Sequence, residues 1–348
     1  MTDQMAGVVL PGGSRVEHVT QPVPRPGPGQ VLLAMKASSI CGSDIRAIYR
    51  EHLGHGAEAY RGVVAGHEPC GEVVEAGPGT RLAVGSRVVV YHIVGCGLCD
   101  ECRTGYEIGC THESRAAYGW QRDGGHGDYL LAEERSCLPL PDSLSFVDGA
   151  LVSCGFGTAW EALLRLQVSG RDGLLVTGLG PVGLATALLG RALGAGPVYG
   201  VDPLEARRAY AVELGLVDEA LPSDDTTLDR VLDLSGGLGL TATVDCSGAA
   251  SARALAVRAT ARWGRCAFVG EGGSVELDVS QWLIHRQVSV HGSWVTSVPH
   301  MRELLTRLEV WGLHPETIVS HRFPLTDAGA AYDAADRGSM GKVCIVWD

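Results

Sequence analysis

The six residues GLGPVG, Gly178–Gly183, constrain the fold of this chain more than any other feature. They fit Gly-x-Gly-x-x-Gly, a pattern that 48 glycines can produce by chance, so the surroundings give it force. Before it, Leu174–Thr177 is a continuous apolar run, as expected for a parallel strand covered on both faces. After it, the segment from Pro181 is apolar nearly all round, as in a helix packed tightly on a sheet. A second strand then ends in Asp202, 19 residues beyond Gly183. Strand, glycine turn, helix, strand and acid make up the dinucleotide-binding unit of a doubly wound α/β fold. Gly178 allows the tight turn, Gly180 lets the backbone approach a pyrophosphate, and Gly183 permits close helix–strand packing. Pro181 and Val182 open a helix whose N-terminus offers free N–H groups and a positive dipole end to phosphates. Asp202 is placed to accept from an adenosine ribose and to repel a 2′-phosphate, which favours NAD; Arg207 and Arg208 close by keep NADP as the alternative. A glycine turn with no ligand is the competing reading.

A second signal is CGLCDECRTGYEIGC, which carries Cys96, Cys99, Cys102 and Cys110. The N-terminus shows no basic start followed by an apolar core, and no apolar run is long enough to span a bilayer. A cytoplasmic location is therefore expected. Disulfides rarely persist there, so clustered cysteines point to metal or catalysis. Cys-x2-Cys-x2-Cys-x7-Cys offers four thiolates from one short loop, as a closed tetrahedral zinc site requires. Gly95, Gly97, Gly105 and Gly109 let that loop turn tightly. An iron–sulfur cluster is the alternative. A closed site has no position for substrate, so this lobe is read as structural, and the activity is sought elsewhere.

The chain has 348 residues, room for two ordinary domains, and 45% hydrophobic content. A formal charge of −12 argues against nucleic-acid and anionic-membrane partners, which need a basic surface. The first part reads as short strands separated by Gly and Pro, a β-rich domain over residues 1–154 with the cysteine lobe at 95–111. The α/β pattern occupies 155–292. Alternation returns in "VSVHGSWV" and "GKVCIVWD", so residues 293–348 are expected to rejoin the first domain.

Other potential metal ligands lie outside the lobe: Cys41 in SSICGSDIR, His67, Glu68 and Cys70 in VVAGHEPCGEVV, and Cys154 in ALVSCGFGTAW. A catalytic zinc takes about three protein ligands and keeps one open position. Cys41, His67 and Cys154 offer two thiolates and an imidazole, yet spacing alone does not bring them together. Each cysteine by itself reads as a small buried residue.

Cys41-Gly-Ser-Asp, Gly66-His67-Glu68, the four-cysteine lobe, Cys154-Gly-x-Gly-Thr and Gly178-x-Gly-x-x-Gly follow one another over most of the chain. This order resembles the zinc-containing medium-chain dehydrogenase/reductase family of alcohol and polyol dehydrogenases. The resemblance implies an α/β protein with two domains: a doubly wound, parallel-sheet Rossmann domain for NAD(P), and a GroES-like β-rich catalytic domain. It implies two zinc ions per chain, with the active site in the cleft between the domains. By resemblance Cys41, His67 and Cys154 match the catalytic zinc ligands, Glu68 the glutamate beside that zinc, and Cys96, Cys99, Cys102 and Cys110 the structural zinc ligands. Ser43 matches the hydroxyl residue that accepts the substrate proton, Asp202 and Arg207 the adenosine-ribose contacts, and Thr158 a residue near the nicotinamide. Cys70, Cys137, Cys246, Cys266 and Cys344 match no ligand position and are read as packing residues.

One position departs from the pattern. Many members carry a proton-relaying histidine where this chain has Arg46, and arginine stays protonated. His52 and His55 are nearby in sequence but read chiefly as surface-loop residues. His92, four residues before Cys96, falls where the family places a substrate-pocket side chain, and Trp120 and His126 are further candidates for the cleft. A histidine at that place favours a polar substrate: a polyol, sugar or cyclitol first, then a simple or aromatic alcohol, then L-threonine or another amino alcohol. The expected partners are a small-molecule alcohol and its ketone or aldehyde, together with further copies of the chain in a homodimer or homotetramer. A zinc-free quinone or enone reductase, or a non-catalytic nucleotide-binding protein of the same fold, are the competing classes; the Cys41, His67 and Cys154 set and Ser43 argue against both.

Overall fold

The computed structural model describes residues 3–52, 55–56, 59–338 and 340–348. The chain forms two compact units. One comprises Met1–Gly157 with Thr296–Asp348, the other Thr158–Val295.

The second unit is built on a six-stranded sheet in which every pairing is parallel. Leu174–Thr177 is buried at every position and pairs with Val198–Val201 on one side and Leu240–Asp245 on the other. Glu219–Leu221 extends the first side; Thr260–Phe268 and then Ser289–Gly292 extend the second. That is the strand order of a doubly wound dinucleotide fold. Both faces of its middle strands are covered, which explains the unbroken apolar run at Leu174–Thr177. The helix Pro181–Ala192 begins with proline, whose missing N–H costs nothing at a first helical position, and is buried from Gly183 to Gly190. Leu175, Val201, Leu221 and Val231 form a core cluster of this unit.

In the first unit the long strand Gln30–Ser39 pairs antiparallel with Glu68–Ala76, Tyr129–Glu133 and the C-terminal strand Lys342–Val346. Alternation places Val31, Leu33 and Met35 in one core cluster with Val73, Val88 and Leu130. The register sets Ser39 opposite Glu68 on one side and opposite Cys344 on the other. No helix among the described residues is long and apolar enough to cross a membrane.

The helix Phe146–Leu151 starts with a capping box, Ser145 and Asp148 each bonding the other's backbone N–H. Asp148 also accepts from His314 Nδ1 at 2.8 Å and from the Glu316 N–H at 2.8 Å. Asp148, His314 and Glu316 cluster closely enough to hold a metal. The Asp148 oxygens are, however, already used by these bonds, and Glu316 pairs with Arg322 at 2.8 Å. The hydrogen bond and charge of Asp148 raise the His314 pKa above its ordinary 6.5. A raised folded-state pKa stabilises below the unfolded value, and that stability is lost as pH rises through the folded value. His314 is exposed, so the effect is small. The Tm difference between wild type and His314→Gln should be about 1–2 °C at pH 6 and vanish by pH 8.5. A pH-independent difference in melting scans would contradict the pairing.

Candidate functional site

In the first unit, ligand atoms of Cys41, His67, Glu68 and Cys154 all lie within 4.8 Å of one another. Three separated segments supply them. Cys41 follows the end of Gln30–Ser39, His67 and Glu68 open Glu68–Ala76 and its approach, and Cys154 sits in the short π-helix Val152–Phe156. Asp44 is the residue that sequence reading passed over, although it stands inside the Cys41-Gly-Ser-Asp motif. Its buried carboxylate accepts from His67 Nδ1 at 2.7 Å through Oδ1, and from the Cys41 N–H at 3.0 Å through Oδ2. The Asp44 bond fixes the tautomer of His67 and leaves Nε2 as the ligand atom, the usual support of a metal-binding histidine. Burial opposes a charge on His67, but Asp44 and Cys41 together outweigh it, so the ring's pKa is raised. A hydrogen bond from Cys154 lowers the Cys41 pKa against the effect of burial.

Two thiols, one imidazole nitrogen and a carboxylate in a buried pocket are the donor chemistry of zinc. Glu68 Oε1 is buried without a hydrogen-bond partner among the described residues, an acceptor that a cation at this place would satisfy. Glu68 Oε2 pairs with Lys342 Nζ at 2.5 Å and accepts from Ser39 Oγ. Lys342 is a further residue that sequence reading missed; the available signal was a lysine inside the apolar strand KVCIV.

His92 is buried, and its ring centroid lies 5.2 Å from that of His67. Its Nδ1 donates to the Ser153 carbonyl at 2.9 Å, since a carbonyl can only accept. Burial and the neighbouring His67 bring its pKa down to about 3, so the ring is neutral and Nε2 carries a lone pair. Trp120 is half-buried; its Nε1 donates to Asp44 Oδ1 at 3.3 Å. His126 is fully buried, with Nδ1 3.0 Å from the Tyr332 hydroxyl, and so belongs to the interior of its unit. Ser43 is partly exposed, and its side chain makes no capping hydrogen bond to the helix that follows. Arg46 and His55 are exposed, and the exposed His52 meets Tyr60 edge-on.

The sulfurs of Cys96, Cys99, Cys102 and Cys110 form a second set within 4.8 Å of one another. Backbone N–H groups point at them: those of Leu98 and Cys99 donate to Cys96 Sγ at 3.4 and 3.3 Å, and that of Cys96 to Cys110 Sγ at 3.3 Å. The Leu98 and Cys99 N–H groups lower the Cys96 pKa to about 6, which favours the thiolate a metal needs, while burial pushes Cys102 up to about 12. Gly97 and Gly105 sit at φ of +76° and +83°, where a side chain is disfavoured. The remaining thiols differ: Cys70, Cys137, Cys266 and Cys344 are buried, Cys246 is half-buried beside Thr186, and burial pushes Cys246, Cys266 and Cys344 up to about 12.

In the second unit the glycine turn lies between Leu174–Thr177 and Pro181–Ala192. Gly178 has φ +89°, and a Cβ on Gly183 would overlap the Gly178 carbonyl oxygen. A Cβ on Gly180 would meet only Arg207, at 3.8 Å. Nothing in the protein demands glycine there; an approaching ligand would, and the residues therefore fit a bound dinucleotide. Asp202 is buried and holds the turn directly: Oδ2 accepts from the Leu179 N–H at 2.8 Å, Oδ1 from the Leu204 N–H at 2.9 Å. Arg207 lies 3.8 Å from Asp202, while Arg208 donates to the carbonyls of Asp202 and Pro203. Thr158 is buried in the first turn of Gly157–Arg165. Gly183→Ala should lower Tm by about 5–10 °C through overpacking. Gly180→Ala should leave Tm within about 1 °C and weaken NAD binding at least about tenfold. Equal losses of Tm in calorimetry would refute this division of roles.

Comparison with known proteins gives the family. An alcohol dehydrogenase GroES-like domain model matches residues 27–142, and a zinc-binding dehydrogenase model matches 181–309. A zinc-type alcohol dehydrogenase-like protein of Escherichia coli (strain K12), YphC, is 48% identical over 347 residues, 98% of each chain. An L-threonine 3-dehydrogenase of Coxiella burnetii (strain Dugway 5J108-111) is 31% identical over 330 residues, 94% of each. Among solved structures, a zinc-binding dehydrogenase of Sinorhizobium meliloti 1021 bound to NADP has a TM-score of 0.85 and 26% identity, covering 99% of this chain and 100% of that one. The chain belongs to the zinc-containing medium-chain dehydrogenase/reductase family and is a zinc-type alcohol dehydrogenase-like oxidoreductase.

Proposed function

We propose that the protein is a zinc-dependent, NAD-linked dehydrogenase of polar secondary alcohols, with polyols, sugars or cyclitols as its substrate class. The observation that carries the substrate reading is His92: neutral, fixed through Nδ1, and presenting an Nε2 acceptor beside His67. Such an acceptor suits a substrate with a second hydroxyl or an amine next to the reacting carbon. The L-threonine 3-dehydrogenases among the relatives favour a second reading, a 3-hydroxy amino acid. A side-by-side screen of polyols, sugars, simple alcohols and L-threonine with NAD and NADP, followed at the nicotinamide absorbance, tests both. Fastest turnover of an unsubstituted aliphatic alcohol would overturn them together.

In this proposal Cys41, His67 and Cys154 hold the catalytic zinc, with Glu68 beside it. Cys96, Cys99, Cys102 and Cys110 hold a second, structural zinc. The catalytic zinc, when bound, supplies a Lewis acid that favours ionisation of the substrate hydroxyl. NAD supplies the hydride acceptor, so a secondary alcohol leaves as a ketone. Asp44 orients His67 and the Cys41 backbone. Ser43 Oγ takes the substrate proton, which leaves by a route other than Arg46, because a guanidinium stays protonated. Gly178, Gly180 and Gly183 shape the phosphate cradle, with Pro181 and Val182 opening the helix behind it. Asp202 and Arg207 serve the adenosine ribose, and Thr158 the nicotinamide end. Asp202 supports NAD; the NADP held by the Sinorhizobium protein marks the alternative. The edge strand Ser289–Gly292 pairs on one side only among the described residues, and Val290 and Trp294 are exposed there. This open edge supports a homodimer or homotetramer. A reducing cytoplasm suits a chain whose function rests on so many free thiols.

A further inference from the structure

We propose that Lys342 and Ser39 form a tether on Glu68 that limits how far its carboxylate enters the metal donor set. The inference rests on reading Cys41, His67 and Cys154 as the zinc site. Glu68 is fully buried, and its two oxygens have different surroundings. Oε2 is held by Lys342 Nζ at 2.5 Å and by Ser39 Oγ; Oε1 has no hydrogen-bond partner among the described residues. One oxygen is therefore anchored while the other is left to join Cys41, His67 and Cys154.

The sheet register builds the anchor. Ser39 lies opposite Glu68 across one ladder and opposite Cys344, two residues beyond Lys342, across the next. Lys342 and Cys344 share a strand face, so Lys342 reaches Glu68 past Ser39. Lys342 is only 2% exposed, and among the described residues its ion pair is with Glu68. A buried ammonium persists only with such a partner.

Charge explains what the tether does. Two thiolates, Glu68 and Asp44 carry four negative charges against the three positive ones of a bound dication and Lys342, so losing Lys342 would leave two negative charges in excess. Without Lys342 no Lys or Arg among the described residues pairs with the buried carboxylate, and the metal becomes its nearest full positive charge. Glu68 is then drawn into the donor set as a standing fourth ligand, in competition with substrate. With Lys342 in place, the carboxylate shares its charge and the open position is kept. Lys342 is in this sense a positioning residue, acting through Glu68.

Metal release tests the proposal without reference to turnover. Zinc transfer from the whole protein to a chromogenic chelator is timed, and the phase from this site is the one missing in Cys41→Ser. Lys342→Met should slow that phase at least about tenfold, in the range of effects of groups that support metal ligands. The cobalt-substituted variant should show a changed visible band. Adding Glu68→Gln to Lys342→Met should abolish both effects, and Lys342→Arg should behave as wild type. Faster release in Lys342→Met, unaffected by Glu68→Gln, would mean that the lysine merely props up the fold and would overturn the proposal. Unchanged release would overturn it too. Should Lys342→Met not fold, Ser39→Ala removes the second anchor and should slow release about threefold, again only when Glu68 is present; unchanged or faster release counts against the tether. If the wild-type chain holds only the lobe zinc, the underlying zinc-site reading fails, and metal analysis shows this before any variant is made.

Discussion

Replacing Cys41 with serine should cut turnover at least about thousandfold, the equivalent of about 4 kcal/mol in the barrier. Bound zinc should fall from two ions per chain to one. A serine hydroxyl remains protonated at neutral pH and is a poor donor for a borderline-soft cation. The Asp44 contact to the residue 41 backbone survives, because it uses the N–H and not the side chain. Local folding should therefore persist, and the lost activity will report chemistry. The lobe zinc should stay, since all four of its sulfurs come from residues 96–110. NAD affinity should be nearly unchanged, since the glycine turn and Asp202 belong to the other unit. Metal analysis, calorimetric titration with NAD and initial rates on one protein sample read all three outcomes. Full activity, or two zincs retained, would remove Cys41 from the catalytic centre.

The parts of the molecule differ in how much the sequence discloses. The glycine turn is legible because its constraints are local: a buried strand, a positive φ at Gly178 and a close approach at Gly183 all act within ten residues. The lobe is legible for the same reason, with four thiols and the N–H groups that support them on one loop. The proposed catalytic donors are not legible from spacing. Cys41, His67 and Cys154 meet because Gln30–Ser39 and Glu68–Ala76 pair in one register and a short π-helix delivers Cys154. Only resemblance groups them beforehand. Lys342 and Asp44 are harder still. Each is a single charged residue whose meaning lies in a buried partner distant in the chain, and hydrophobic periodicity carries no record of such pairs. Trp120 shows the reverse case. Its place in the sequence points to substrate, while its indole N–H shares Asp44 with His67.

Asp202→Ala should lower the preference for NAD over NADP by about 100- to 900-fold, or about 3–4 kcal/mol. Two effects add. The wild-type carboxylate offers acceptors to a ribose diol, and losing that charged hydrogen bond should weaken NAD by about 10- to 30-fold. The same carboxylate repels a 2′-phosphate; removing it leaves Arg207, 3.8 Å away in the wild type, without an internal counter-charge and open to pair with that phosphate. NADP should gain by a similar factor. Asp202 also accepts the Leu179 and Leu204 N–H groups, so alanine loosens the glycine turn and part of the loss falls on both cofactors alike. Asp202→Asn separates the two contributions. Its side-chain oxygen can keep one backbone bond while the negative charge is gone, so it should recover NADP binding with less damage to Tm. Arg207→Ala in the Asp202→Ala background should then erase the NADP gain and leave the NAD loss unaltered. Titration calorimetry of the three variants with both nucleotides gives the ratios directly. An unchanged NAD preference in Asp202→Ala would show that discrimination lies elsewhere in the second unit.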